Sequence, residues 1–316
     1  MKIAVLDDWA GVAETMADWS RLKAEVTFFD QPLGDALVEA MQPFDVICLM
    51  RERTPFPRKV IEALPALRLI VTTGPRNLSI DVEAARARGI PVSGTRSRKT
   101  TTSELTLAMM LALSRRLIPE VGRLKGGGFQ GQPGRDLAGL RLGLVGLGTI
   151  GAQMAEIGAL LGMEVSAWSP NLTAERTEVL GVERAGSLVE LAERSDVLSV
   201  HMVLSERSQG VVGAAAFEAL PEGAIFLNTS RAGLVHREAL FEGLRQRRPA
   251  LAGIDVFETE PLPTSDAWRA ALTEFGDRLL LTPHLGYVTE KTWQLFYQDT
   301  VEAIEAFVAG QPIRRL

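Results

Sequence analysis

The chain has 316 residues, 46% of them hydrophobic and 23% charged, with 29 Gly and 16 Pro. Its length predicts two domains or one large α/β domain, and its composition excludes disorder, collagen and low-complexity repeats. The 34 Lys and Arg against 39 Asp and Glu leave a net charge of −5, the wrong sign for binding nucleic acid or an anionic membrane, so neither partner is expected.

At the amino terminus, Asp7 and Asp8 close a short apolar run before it reaches the core length of a signal peptide. Residues 3–6, 26–29, 46–50, 69–72 and 91–93 read as strands. Segments 14–22, 34–41, 57–64 and 81–88 carry apolar residues at helical spacing, and Gly89 stops the last of them. This alternation predicts a mainly parallel sheet covered on both faces. Cys48, the single cysteine, falls in the third strand and is expected to be buried and inert. It permits no disulfide within the chain and no cysteine-based zinc site, which suits a cytoplasmic protein.

A long helix is expected over 101–124, with Glu104 placed for a capping box. The glycines at 126–128 and 131–134 then mark a boundary region. Beyond it, 142–145, 164–168, 197–201, 224–228, 251–255 and 279–282 read as six further strands, and a last helix over 290–308 is expected to return to the first lobe. No apolar run approaches the ~18 residues that span a bilayer. The fold expected is α/β: two doubly wound parallel-sheet (Rossmann-like) domains with a cleft between them.

Residues 142–151, Leu-Gly-Leu-Val-Gly-Leu-Gly-Thr-Ile-Gly, run from an apolar strand into three glycines at GxGxxG spacing and then a helix. Gly146 permits the tight turn, Gly148 lets the backbone approach a pyrophosphate, and Gly151 allows close packing of helix on strand. Thr149 and Ile150 open the helix, whose N-terminus offers N–H groups and a positive dipole. This predicts a dinucleotide site. The acid expected some 20 residues on to hold the ribose hydroxyls is absent: Ser169 and Asn171 stand there, with Arg176 close by. NAD and NADP both stay open.

Arg231, Glu260 and His284 follow successive predicted strands of the second lobe, whose carboxyl ends face one crevice. Reduction of a 2-oxo acid needs a cation for the carboxylate and the polarised carbonyl, a proton donor, and a carboxylate that keeps the donor charged. Arg231, with its planar fork, suits the first role, His284 the second and Glu260 the third. The other two histidines are expected near the cofactor at a strand end (His201) and at the start of a helix (His236). No metal site is expected from three histidines.

The glycine fingerprint, the stretch 228–235, the stretch Gly-Ile-Asp-Val-Phe-Glu-Thr-Glu-Pro at 253–261 and Pro-His-Leu-Gly at 283–286 together resemble the D-isomer-specific 2-hydroxyacid dehydrogenase family over nearly the whole chain. The resemblance implies a discontinuous substrate domain (1–97 plus 290–316) and a dinucleotide-binding domain (98–289) carrying a dimerisation arm, hence a homodimer. It implies substrate binding by Arg231, histidine orientation by Glu260 and general acid/base catalysis by His284, with Thr229 and Asp255 beside the cofactor. In the first lobe, 50–54 and 73–77 match places where the family closes on the substrate carboxylate, so Arg51, Gly74 and Pro75 are the substrate contacts expected there. Arg76 stands where the family more often has a smaller residue. The expected activity is hydride transfer between NAD(P)H and a small 2-oxo acid such as glyoxylate or hydroxypyruvate, and no regulatory domain is expected after the last helix. Two other classes stay open: a nucleotide-sensing, corepressor-like binding protein, and a hydride-transfer enzyme acting on formate or phosphite.

Overall fold

A computed structural model describes residues 1–316. Met1–Arg98 together with Val288–Leu316 form one compact unit, and Lys99–Tyr287 form a second.

In the first unit, β1 (Lys2–Val5), β2 (Glu25–Phe28), β3 (Val46–Leu49), β4 (Leu69–Thr72) and β5 (Val92–Gly94) make a parallel sheet in the order β2-β1-β3-β4-β5. Every residue of β3 and β4 is buried, as the continuous apolar runs of a sheet covered on both faces require. Cys48 lies within β3, and burial pushes its thiol far above the usual range. The helix Glu290–Val308 turns Trp293, Phe296, Tyr297, Val301 and Ile304 inward at helical spacing. Arg96 forks onto the buried Asp299 of that helix at 2.7 and 3.1 Å, so the carboxyl-terminal segment is an integral part of this unit.

Two expected helices of this unit are shorter than their apolar spacing suggests. The 14–22 segment divides into Ala13–Met16 and a 3-10 turn Trp19–Leu22, because the Asp18 side chain accepts from the Ser20 N–H at 3.2 Å and so competes with helix continuation. The 34–41 segment opens as a 3-10 turn, Gly34–Ala36, before Leu37–Met41.

The second unit holds β6 (Arg141–Val145), β7 (Glu164–Trp168), β8 (Glu183–Arg184), β9 (Val197–Val200), β10 (Ile225–Asn228), β11 (Leu251–Ile254) and β12 (Leu279–Leu281). They form one parallel sheet, β12-β11-β10-β9-β6-β7-β8. The sheet therefore has seven strands where six were expected. The extra one, β8, has two residues, both exposed, and carries no periodicity to read. Ile225 and Leu227 enter one apolar cluster and Phe226 the other, so both faces are covered. Strand order reverses between β6 and β9, which places a ligand crevice outside the carboxyl ends there.

The helix expected over 101–124 is two helices, Thr101–Ser114 and Leu117–Lys125, separated by Arg116 in the left-handed conformation (φ 55°). Pro119 explains the break. In one continuous helix it would remove an internal hydrogen bond, whereas in the first turn of a new helix its missing N–H costs nothing. The expected capping box does not form: Thr100 has a helical backbone and makes no side-chain cap, and the Ser103 hydroxyl donates to the Thr100 carbonyl at 2.7 Å.

Candidate active site

The glycine turn after β6 behaves as its spacing predicts. Gly146 has φ 104°, and a Cβ there would lie 2.7 Å from the His201 carbonyl oxygen; a Cβ on Gly151 would overlap the Gly146 carbonyl. Gly148 caps the helix Thr149–Leu160 and has open space beside its Cα. Two glycines thus allow close packing, and the third leaves the helix N-terminus approachable by a phosphate. Beside this turn runs a groove of about 410 Å³, walled by Gly146–Gly148, Ser169, Asn171, Arg176, His201 and Arg207 among others. An extended diphosphate with a sugar and a base fits this combination of glycine cradle, helix end and polar wall.

Ser169, Asn171 and His201 all line this groove. The His201 ring is buried: Nε2 lies 2.8 Å from the Ser199 hydroxyl and Nδ1 has no protein partner. Burial lowers its pKa from 6.5 to about 4. The folded protein keeps this ring neutral while the unfolded chain protonates it below about 6.5, so the stability that depends on it is complete above pH 6.5 and lost as pH falls toward 4. The gap corresponds to about 3 kcal/mol. Urea unfolding of the parent protein at pH 7 and pH 4.5 should show a steeper loss of stability than His201→Gln, by about 2 kcal/mol; equal losses would remove His201 as the cause.

Thr229 and Asp255, expected beside the cofactor, are turned into the fold. The Thr229 hydroxyl lies 2.8 Å from that of Thr106 and is buried. Asp255, at 0% exposure, accepts from the Thr282 hydroxyl at 2.6 Å and from the N–H groups of Leu285 and Gly286 at 2.7 and 2.9 Å. Burial raises its carboxyl above the usual range, and these donors act against that shift. Its visible work is to hold the loop that carries His284.

That loop sets His284 at φ 54°, a left-handed conformation that a non-glycine residue keeps only when its surroundings impose it. Nδ1 of His284 lies 2.6 Å from Glu260 Oε2, and Glu260 Oε1 accepts from the Phe257 N–H at 3.0 Å. Both carboxylate oxygens are thus placed, and the ring is oriented with Nδ1 as the donor, leaving Nε2 as the site that can gain or lose a proton. Tyr287 stands edge-on to the ring at 5.3 Å.

Arg231 follows β10, whose register places Asn228 level with Ile254 of β11, and that in turn level with Leu281 of β12. The side chain of Asn228 accepts from the Ser230 N–H and donates to the Arg231 carbonyl, each at 3.0 Å. Ser230 anchors the turn to Val200 at 3.0 Å. Arg231, Glu260 and His284 therefore rise from the carboxyl ends of three adjacent strands.

In the first unit, Arg51 and Gly74 come together: a Cβ on Gly74 (φ 90°) would overlap the Arg51 guanidinium. The Gly74 N–H is taken by the Thr95 hydroxyl at 2.7 Å, and Pro75 has no N–H to give, which leaves Arg51 as the polar group of this set. Arg76 is exposed. His236 takes the N-cap position of the helix Arg237–Arg245, exposed and without a side-chain cap bond. Arg207 was missed in the sequence because it lies in an irregular stretch after β9, where only folding brings it to the groove.

Residues 107–286 match the family model described as D-isomer specific 2-hydroxyacid dehydrogenase, NAD binding domain. A hydroxypyruvate reductase of Thermotoga maritima is 32% identical over 85% of this chain and 87% of its own length. A D-3-phosphoglycerate dehydrogenase of Methanocaldococcus jannaschii is 31% identical over 88% of this chain and 52% of its own, so the chain spans about half the length of such relatives. Among solved structures, a phosphoglycerate oxidoreductase from Vibrio cholerae superposes with a TM-score of 0.90 at 32% identity, covering 98% of this chain and 99% of that one.

Proposed function

The chain belongs to the D-isomer specific 2-hydroxyacid dehydrogenase family, and from that premise we propose that it interconverts a small 2-oxo acid and its D-2-hydroxy acid with NAD(P)(H). The observation that carries the reading is the His284–Glu260 pair at 2.6 Å on the Asp255-braced loop. A nicotinamide bound along the groove would deliver hydride to C2 of the oxo acid. His284 then gives the proton on Nε2 to the substrate oxygen and keeps the proton on Nδ1 against Glu260, which steadies the cationic ring before transfer. Arg231 presents a planar, permanently charged fork to the substrate carboxylate and to the negative charge growing on the oxygen. In the oxidative direction the same ring accepts the proton. From the first unit, Arg51 is assigned to the substrate acid.

We also assign a homodimer. Leu117, Ile118, Val121 and Leu124 are 49–63% exposed along the helix Leu117–Lys125, an apolar face suited to a second copy of the chain. No helix is long and apolar enough to cross a membrane, and the single buried cysteine suits a reducing cytoplasm.

The test is initial-rate oxidation of NADH and of NADPH, followed by nicotinamide absorbance, with glyoxylate, hydroxypyruvate and related 2-oxo acids. Turnover of at least one of these acids is expected. Cofactor binding with no turnover of any oxo acid at any pH would replace this reading with nucleotide sensing.

A further inference from the structure

We propose that the groove beside Gly146 selects the dinucleotide bearing a 2′-phosphate on its adenosine ribose, NADP(H) over NAD(H), and that Arg176 and Arg207 make the selection. This rests on the dehydrogenase reading above and specifies which form of its cofactor the protein takes.

A carboxylate at the end of the second strand of such a sheet accepts from the ribose hydroxyls and repels a phosphate, whereas a nearby arginine accommodates one. Here the second strand is β7, and the residue that follows it, Ser169, lines the groove without charge. None of the fifteen residues lining the groove is acidic, and two are arginines. The third ionisable wall residue, His201, is held neutral by burial. The groove therefore carries positive charge that its own walls do not cancel.

The placement of the arginines supports a ligand role. Arg176 sits in the first turn of the helix Ala174–Leu180 and donates from Nε to the Leu147 carbonyl at 3.3 Å, which ties its guanidinium to the glycine turn. Its side-chain partner is a carbonyl, so no carboxylate neutralises it there. Arg207 reaches the groove from the 3-10 turn Glu206–Ser208 after β9. The acid next to Arg176, Glu175, does not line the groove, and its own N–H and the Thr173 hydroxyl at the helix start hold its carboxyl below the usual range. Ser169 and Asn171 can hydrogen-bond ribose or phosphate oxygens alike, so the discrimination falls to the two guanidinium groups, which gain from a phosphate dianion and little from a neutral diol.

The experiment is equilibrium titration of the whole 316-residue chain with NADPH and NADH, followed by nicotinamide fluorescence, and calorimetric titration with adenosine 2′,5′-bisphosphate and 5′-AMP. None of these readouts needs turnover. NADPH should bind at least about tenfold more tightly than NADH, with the gap narrowing as salt rises. Arg176→Ala and Arg207→Ala should each cut the NADPH-to-NADH affinity ratio about tenfold, Arg176→Lys should retain part of it, and Ser169→Asp should turn the preference toward NADH. Equal or tighter binding of NADH by the parent chain, or a ratio unchanged in the double arginine variant, overturns the inference and leaves the dehydrogenase reading standing. Failure of both dinucleotides to bind overturns that reading, and the inference with it.

Discussion

His284→Asn is expected to lower kcat for 2-oxo acid reduction by about 10²–10⁴-fold, the range a positioned general acid contributes. Asn is the informative replacement because, after glycine, it is among the residues that best tolerate the left-handed backbone found at position 284 (φ 54°). The Asp255-braced loop can therefore persist while the proton disappears. The pH dependence of the parent enzyme's reductive rate should be lost in the variant along with most of the rate. Dinucleotide affinity, which depends on the groove at Gly146, should change little. A variant that keeps more than a tenth of the parent rate, with its pH profile intact, would remove His284 from proton transfer.

Arg231→Ala should reduce kcat/KM by about 10²–10³-fold, as loss of a preorganised donor to developing charge does, with KM raised and kcat lowered together because the residue is assigned to both bound substrate and transition state. Arg231→Lys separates charge from geometry: the ammonium retains the charge but cannot reproduce the fork, so a loss of at least about tenfold should remain. Unfolding midpoints of both variants provide the control, since Arg231 Nη1 donates to the Ser230 carbonyl at 2.8 Å in a turn that Asn228 and Ser230 also hold. Unaltered kinetics in Arg231→Ala would assign the substrate carboxylate to another cation.

Much of the architecture was legible because the signals are local. The continuous apolar runs at Val46–Leu49 and Leu69–Thr72 became strands buried on both faces, and the apolar spacing of Glu290–Val308 became a helix with those bounds. The strand–glycine–helix passage at 142–151 announced its turn because steric demands at Gly146 and Gly151 concern neighbouring backbone. Pro119 is a local signal too, and it accounts for the broken helix after Ser114.

Other features depend on distant partners and left no trace in spacing. The two-residue strand Glu183–Arg184 exists only because β7 offers an edge. Thr229 and Asp255 carry groups as suitable for a ligand as for the fold, and only the folded chain brings Thr106 to the first and the Leu285 and Gly286 N–H groups to the second. Gly74 lost its donor to Thr95, 21 positions away. Arg207 entered the groove from a stretch without periodicity.

The sequence by itself determined the alternating strands and helices, the phosphate-accepting turn and the residue types able to run the chemistry, since each follows from backbone sterics and side-chain composition within a few positions. Only the tertiary structure decided that Glu260 meets Nδ1 of His284, that Asp255 braces their loop, and that Arg176 and Arg207 share one groove. Hydrogen bonds and electric fields act over ångströms in space, and separation along the chain does not encode that distance.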